Sequence, residues 1–336
     1  MAQALELLQI PHEQAFACEA NPTLQKMLAR AFQISGTIHN SVFLPARQDE
    51  PPTDLHEAGM PCQSYAKQGK NEGLQCNNGK VGLAVVQWIQ EKKPKCWMLE
   101  NVAALTTVHK EDFKVLIGQL KRGGYCVRAK LINTKQFGIP QNRNRVYIVG
   151  IRHDVLKRRF VWPSGYAQAL PVSTFYDRHP DGSVKRNSQH ERLTQATFKD
   201  NLKLAYKYFE SHGILADDRH ITINIGGVPD RSPKQKPPHW VEDLVPCLTA
   251  TRASSRAFYN TFLRRRLSMS EMARLQGCPN FKDVFRTISM GQRGRLLGNA
   301  MTIPVVMHIC RELLLCTDMA QRLFVKHHIS DSDCTL

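Results

Sequence analysis

The chain has 336 residues and a formal net charge of +17, from 46 Lys+Arg against 29 Asp+Glu. That length buries a sizeable core, and the charge favours a polyanion, nucleic acid first, although a merely basic protein has the same balance. Ten cysteines scattered from Cys18 to Cys334, with no CxxC pair, argue against a zinc clip or a disulfide scaffold and for reduced thiols in an intracellular compartment. The start "MAQALELLQIPHEQ" lacks a basic n-region, and no run of eighteen apolar residues occurs, which argues against secretion and membrane insertion.

In chain order, "AGMPCQSYAKQGK" (residues 58–70) comes first. Pro61 fixes its own φ, so Cys62 has a defined backbone direction; that suits a nucleophile and equally suits an ordinary loop. "GKVGLAVVQWIQEKK" puts Val81, Ala84, Val85, Trp88 and Ile89 on one helical face, and the strand-like "CWMLE" follows. "EDFKVLIGQLKRGG" repeats the pattern with Phe113, Leu116, Ile117 and Leu120 and ends on glycines able to cap in αL. "YCVRAKLI" and "RVYIVGI" read as strands. Helix and short strand in alternation predict an α/β chain with a doubly wound sheet, whose function collects at the carboxyl ends of the strands.

Beyond about His153 the periodicity degrades, with one amphipathic helix around residues 193–209 and an exposed basic loop, "DRSPKQKPPHW". A helix then resumes at "SMSEMARLQG", capped by Ser268 or Ser270, and "GNAMTIPVVMHICRELLL" reads as a glycine turn leading into another. The predicted organisation is a catalytic part over 1–160, a smaller lobe over 161–262, and C-terminal helices over 263–336 that return to the first part.

Three islands fall at the sheet's expected active edge. They are the Pro61–Cys62 loop; "MLENV", where a strand ends in Glu100 and Asn101; and "PQNRNRVYIV", where Gln141, Arg143 and Arg145 recur at period two and so share one strand face. A solvated strand cap or a charged edge strand would look similar. Together, a thiol, a carboxyl and guanidinium groups suit addition to an electron-poor heterocycle. Cytosine offers N3 and its amino group to Glu100, O2 to an arginine, and C6 to a thiolate; addition at C6 makes C5 a nucleophile for a methyl group.

On these motifs the chain resembles the C5-cytosine DNA methyltransferase family, over nearly its whole length. The resemblance implies a Rossmann-like methyltransferase sheet with a target-recognition domain over 161–262. It implies a nucleophile at Cys62 in the Pro61-Cys62-Gln63 loop, a carboxyl for N3 at Glu100, and a Gln-x-Arg-x-Arg strand at Gln141, Arg143 and Arg145, whose last arginine holds the base. It implies S-adenosylmethionine as cofactor, with Glu19 on its ribose and Pro61 and Asn299 beside it. A flipped-out base in double-stranded DNA, a monomeric enzyme, and a nuclear or cytoplasmic location follow for a eukaryotic or a bacterial source.

The family's opening Phe-x-Gly-x-Gly turn has no match, so the chain reads as beginning just after its own first strand, and "TIHNSVF" offers Asn40 or Ser41 where the family has an aspartate. These departures leave two other readings: a DNA-binding or regulatory relative that has lost cofactor binding, and a transfer-RNA cytosine-5 methyltransferase.

Overall fold

The computed structural model describes residues 1–43, 48, 50–60, 77–232, 235–278, 285 and 288–319. In chain order the first elements are α1 (Ala2–Leu7), β1 (Ala17–Cys18), α2 (Pro22–Ala31), β2 (Ile38–His39), β3 (Leu55–Gly59), α3 (Asn77–Lys92) and β4 (Cys96–Val102). Next come α4 (Ala104–Thr107), α5 (Lys110–Arg122), β5 (Tyr125–Asn133), β6 (Gln141–Asn142), β7 (Asn144–Arg152), α6 (Ala196–Ser211) and β8 (Ile221–Asn224). The last are β9 (Trp240–Glu242), β10 (Val245–Pro246), α7 (Ala250–Ser254), β11 (Phe258–Asn260), β12 (Arg265–Arg266), α8 (Met269–Arg274), α9 (Met290–Asn299) and α10 (Ile303–Leu315). The chain divides into two compact units. One holds Met1–Ile132, Asn144–Ser164 and the residues from Ile303; the other holds Asn133–Arg143 and Gly165–Thr302.

The first unit is an α/β layer structure around a sheet of order β3-β4-β7-β5, with β3 and β4 parallel and β4 and β7 antiparallel. The period-3.6 face of α3 buries Val85, Trp88 and Ile89 against Trp97 and Leu99 of β4, and Leu116 and Leu120 of α5 join the same cluster. Gly124, just after α5, takes the left-handed conformation (φ 88°) that ends the helix. On the other face, Leu5 and Leu8 of α1 pack with Cys310 and Leu314 of α10, and Leu55 of β3 lies against them. Helices therefore cover both faces of the sheet, as the alternating sequence pattern requires.

Two contacts make this core specific. Trp97 sits opposite Gly150 in the β4–β7 ladder, and its indole occupies the space that a Cβ at residue 150 would need. The Trp88 indole N–H donates to the buried carboxylate of Glu50, which also pairs with His39 Nε2 at 3.3 Å, while His56 of β3 stacks on Trp88 with centroids 4.0 Å apart. Glu57 of the same strand meets the N-terminal amine at 3.3 Å. β1 and β2 form a separate parallel pair, Ala17 opposite Ile38.

The second unit is built on the sheet β12-β11-β8-β9, antiparallel throughout. Phe198, Ala205 and Phe209 of α6 cover it, packing on Ile221, Ile223 and Tyr259. Ser268 rather than Ser270 caps α8, through a reciprocal capping box with Glu271. The sequence reading of Gly298 as a turn is corrected: Gly298 lies inside α9. Both Gly294 and Gly298, one turn apart, are places where a Cβ would strike the backbone of α7. Glycine is needed there for close helix approach, and a turn is not its reason.

Candidate active site

β4 carries its apolar side chains into the core and bears Glu100 and Asn101, both buried, just before its last residue, Val102. In the antiparallel register Glu100 faces Tyr147 and Val102 faces Arg145, so Glu100 and Arg145 are diagonal neighbours on one face of the sheet. Arg145 Nε lies 2.9 Å from Glu100 Oε1, with side-chain exposures of 13% and 8%. The N–H is not aligned on that oxygen, so the contact is an ion pair held by charge more than by a directed hydrogen bond. Arg145 Nη1 also donates to the Asn144 carbonyl at 2.8 Å. A nearly dry carboxylate and a guanidinium are thus held ready for exchange with a polar ligand.

Asn101 Oδ1 accepts the Val102 N–H at 2.8 Å, and its buried Nδ2 has no hydrogen-bond partner among the described residues. In the β3–β4 ladder Gly59 stands opposite Glu100, and the Met60 N–H donates to the Glu100 carbonyl at 3.3 Å. The chain that continues to Pro61 and Cys62 therefore leaves β3 beside Glu100. Pro61, Cys62 and Gln63 themselves lie outside the described residues.

The sequence grouped Gln141, Arg143 and Arg145 on one strand face; the structure separates them. The strand breaks at Arg143, whose N–H bonds to the Gln141 carbonyl at 3.0 Å. β6 instead pairs in parallel with β10 in the second unit. Gln141 donates to the Leu275 carbonyl (2.8 Å) and accepts from the Leu248 N–H (3.1 Å). Arg143, 2% exposed, donates to the carbonyls of Leu248 (2.8 Å), Gly298 (3.1 Å) and Ala300 (2.8 Å). A planar, permanently charged fork suits three carbonyls at once. The period-two pattern carried no signal for this, because the acceptors are backbone atoms more than a hundred residues away.

Glu19 follows β1. Its Oε1 accepts the Asn21 N–H at 2.8 Å, while Asn21 caps α2 by accepting from Thr23 and Leu24 and Pro22 fills the first helical turn. Asn299 is exposed at the end of α9, directly after the Gly298 that meets α7. Among the described thiols, burial pushes Cys96 well above its ordinary range, Cys310 to about 12 and Cys316 to about 11. These three are poor nucleophiles at neutral pH. No group of His, Cys, Asp and Glu among the described residues is arranged to hold a metal. No described helix is long and apolar enough to cross a membrane.

The family profile described as "C-5 cytosine-specific DNA methylase" matches residues 2–315. The chain belongs to that family, an enzyme class that methylates cytosine in DNA. It is similar to the type II methyltransferase M.NgoBI of Neisseria gonorrhoeae, 29% identical over 262 residues, which covers 77% of this chain and 73% of that one. It is also similar to the type II methyltransferase M.NlaX of Neisseria lactamica, 26% identical over 314 residues and covering 91% and 92%. A solved Spodoptera frugiperda DNMT2 superposes with a TM-score of 0.60 at 16% identity, covering 93% of this chain and 95% of that one, and so shares the fold.

Proposed function

We propose that the chain transfers a methyl group from S-adenosylmethionine to C5 of cytosine in duplex DNA, acting as a monomer on a flipped-out base through a transient covalent bond from Cys62 to C6. The observation that carries this reading is the buried Glu100–Arg145 pair at the carboxyl end of β4, beside the point where β3 leads into the Pro61–Cys62 motif. A carboxyl and a guanidinium side by side match the N3 and amino edge and the O2 of one cytosine.

When cytosine O2 takes Arg145, Glu100 loses its countercharge in a nearly dry site, which favours the protonated carboxyl that N3 needs. The Cys62 thiolate adds to C6; the new S–C6 bond forms as the C5–C6 π pair shifts into the ring, and N3 takes the Glu100 proton. C5 is then the nucleophile for the methyl group, whose bond to the donor's sulfur would break to leave the neutral thioether S-adenosylhomocysteine. Loss of the C5 proton to water, with departure of the Cys62 thiolate and return of the N3 proton to Glu100, restores the aromatic ring. Arg143 serves as a positioning residue: it fixes the carbonyls around Gly298 and leaves the base to Arg145.

S-adenosylmethionine supplies an electrophilic methyl group. The donor set present fits it at Glu19, where one carboxylate oxygen is used by Asn21 and the other makes no hydrogen bond among the described residues, leaving an acceptor for a ribose hydroxyl. Pro61 and Asn299 are assigned to the same ligand on family resemblance.

The test is incorporation of labelled methyl from S-adenosylmethionine into duplex DNA, with transfer RNA as a parallel substrate. Label at cytosine C5 in DNA is expected. Label only in RNA would favour the transfer-RNA enzyme, and DNA binding without label would favour a regulatory protein.

A further inference from the structure

Among the described cations of the second unit that the proposed chemistry does not use, Arg252 is distinguished by its surroundings. Arg252 lies in α7, and that helix is locked in place because Gly294 and Gly298 of α9 admit its backbone at contact distance. The Arg252 side chain runs along the Gly226–Gly227 turn that follows β8. A Cβ on Gly226 would come within 3.2 Å of Arg252 Cδ, and one on Gly227 within 3.9 Å of Nη1. The Arg252 stem thus passes tightly over Gly226, and its guanidinium lies at van der Waals distance from the Cβ position of Gly227.

The turn is itself braced. Buried Asn201 of α6 donates to the carbonyls of Ile225 (2.8 Å) and Gly227 (2.7 Å), and Asn224 Oδ1 accepts the Gly226 N–H at 3.3 Å. Yet the half-buried Arg252 guanidinium makes no hydrogen bond or ion pair among the described residues. Burial alone holds it below the ordinary arginine value, and no carboxylate acts against that. The carboxylate of the same loop, Asp230, is taken up by local backbone contacts, accepting the N–H groups of Ser232 (2.8 Å) and Lys236 (2.9 Å). Arg231 and Lys236 flank it as exposed cations.

A half-desolvated, rigidly held charge without a counterion is costly unless a ligand provides one. A base edge provides only dipoles; a phosphate provides the charge and matches the planar fork with two oxygens. We infer that Arg252, laid across the Gly226–Gly227 turn, is a binding site for one backbone phosphate of the DNA substrate, a contact that positions the duplex and carries no base information. It rests on the reading of the chain as a DNA enzyme.

The test measures affinity of the full chain for a labelled duplex between 50 and 200 mM salt, for wild type, Arg252→Gln and Arg252→Lys, with thermal unfolding as a check on the fold. Removing one phosphate contact should reduce the slope of log K against log[salt] by about 0.9. Arg252→Gln is expected to show that reduction and to weaken binding several-fold on every duplex sequence alike, whereas Arg252→Lys should keep the slope. An unchanged slope in Arg252→Gln overturns the site while the DNA reading stands. A loss confined to duplexes with one particular base pair also overturns it, in favour of base reading. Wild type that binds no duplex overturns the functional reading, and this site with it.

Discussion

In the proposed reaction Glu100 has to deliver a transferable proton to N3 of the base. We predict that Glu100→Gln, which keeps an amide for hydrogen bonding but has no acidic proton, lowers turnover by about 10²–10⁴-fold while DNA binding persists. Near wild-type turnover in Glu100→Ala would remove the role given to this residue. Arg145→Lys should fail to restore activity, because a single ammonium cannot reproduce the fork that meets both Glu100 and a carbonyl oxygen. Steady-state methyl transfer measures both. Glu100 was legible in the sequence because an apolar strand ended abruptly on a carboxylate. The separation of Arg143 from Arg145 was not, since alternation says which side a residue faces only while the strand is continuous, and this one breaks at Arg143. Arg252 gave no sequence signal at all: one basic residue among 46 is distinguished only by what its neighbours withhold.

Among the elements, the β4–β7 ladder and the second unit's ion pairs are the most exposed to test. Gly150→Ala forces a methyl into the Trp97 indole. We expect it to cost about 3 kcal/mol or more in denaturant unfolding, at the upper end for overpacking, with partial recovery when Trp97→Leu is added. In the second unit, burial works to raise the Asp177 and Glu191 carboxyls. Hydrogen bonds from Arg274 at 2.6 Å and Arg266 at 2.6 Å, together with the other donors and the arginine charges around each carboxyl, outweigh it in sum, and both carboxyls are held below their ordinary range. A carboxyl depressed on folding contributes stability that is complete above its unfolded value, about 4, and is lost as pH falls through the folded one. Thermal unfolding should therefore shift down below about pH 4, and Arg266→Met should lower neutral stability and flatten that acid dependence; an unaltered profile would contradict the pairing. Helices such as α3 and α5 were legible from a 3.6-residue repeat of large apolar groups. The role of Gly298 was not, because a glycine needed for helix contact and a glycine needed for a turn are written alike.

For the whole molecule, the alternating first part of the sequence became a sheet covered by helices on both faces. Residues 133–143 and 263–302 joined the second compact unit, an arrangement set by long-range hydrogen bonds such as those of Gln141 and Arg143 that no local pattern announces. If the chain acts on DNA as proposed, its charge of +17 predicts an affinity that falls with salt whatever the sequence of the duplex. The central claim is that one thiol, Cys62, attacks the base, and Cys96, Cys310 and Cys316 are too deeply buried to substitute for it. The direct measurement is trapping on duplex DNA carrying 5-fluorocytosine in the presence of S-adenosylmethionine, followed by peptide mapping of the covalent complex. Fluorine at C5 cannot leave as a proton, so the account predicts a stable adduct on Cys62 in the wild type and none in Cys62→Ala. An adduct that persists in Cys62→Ala, or maps to another residue, would contradict it.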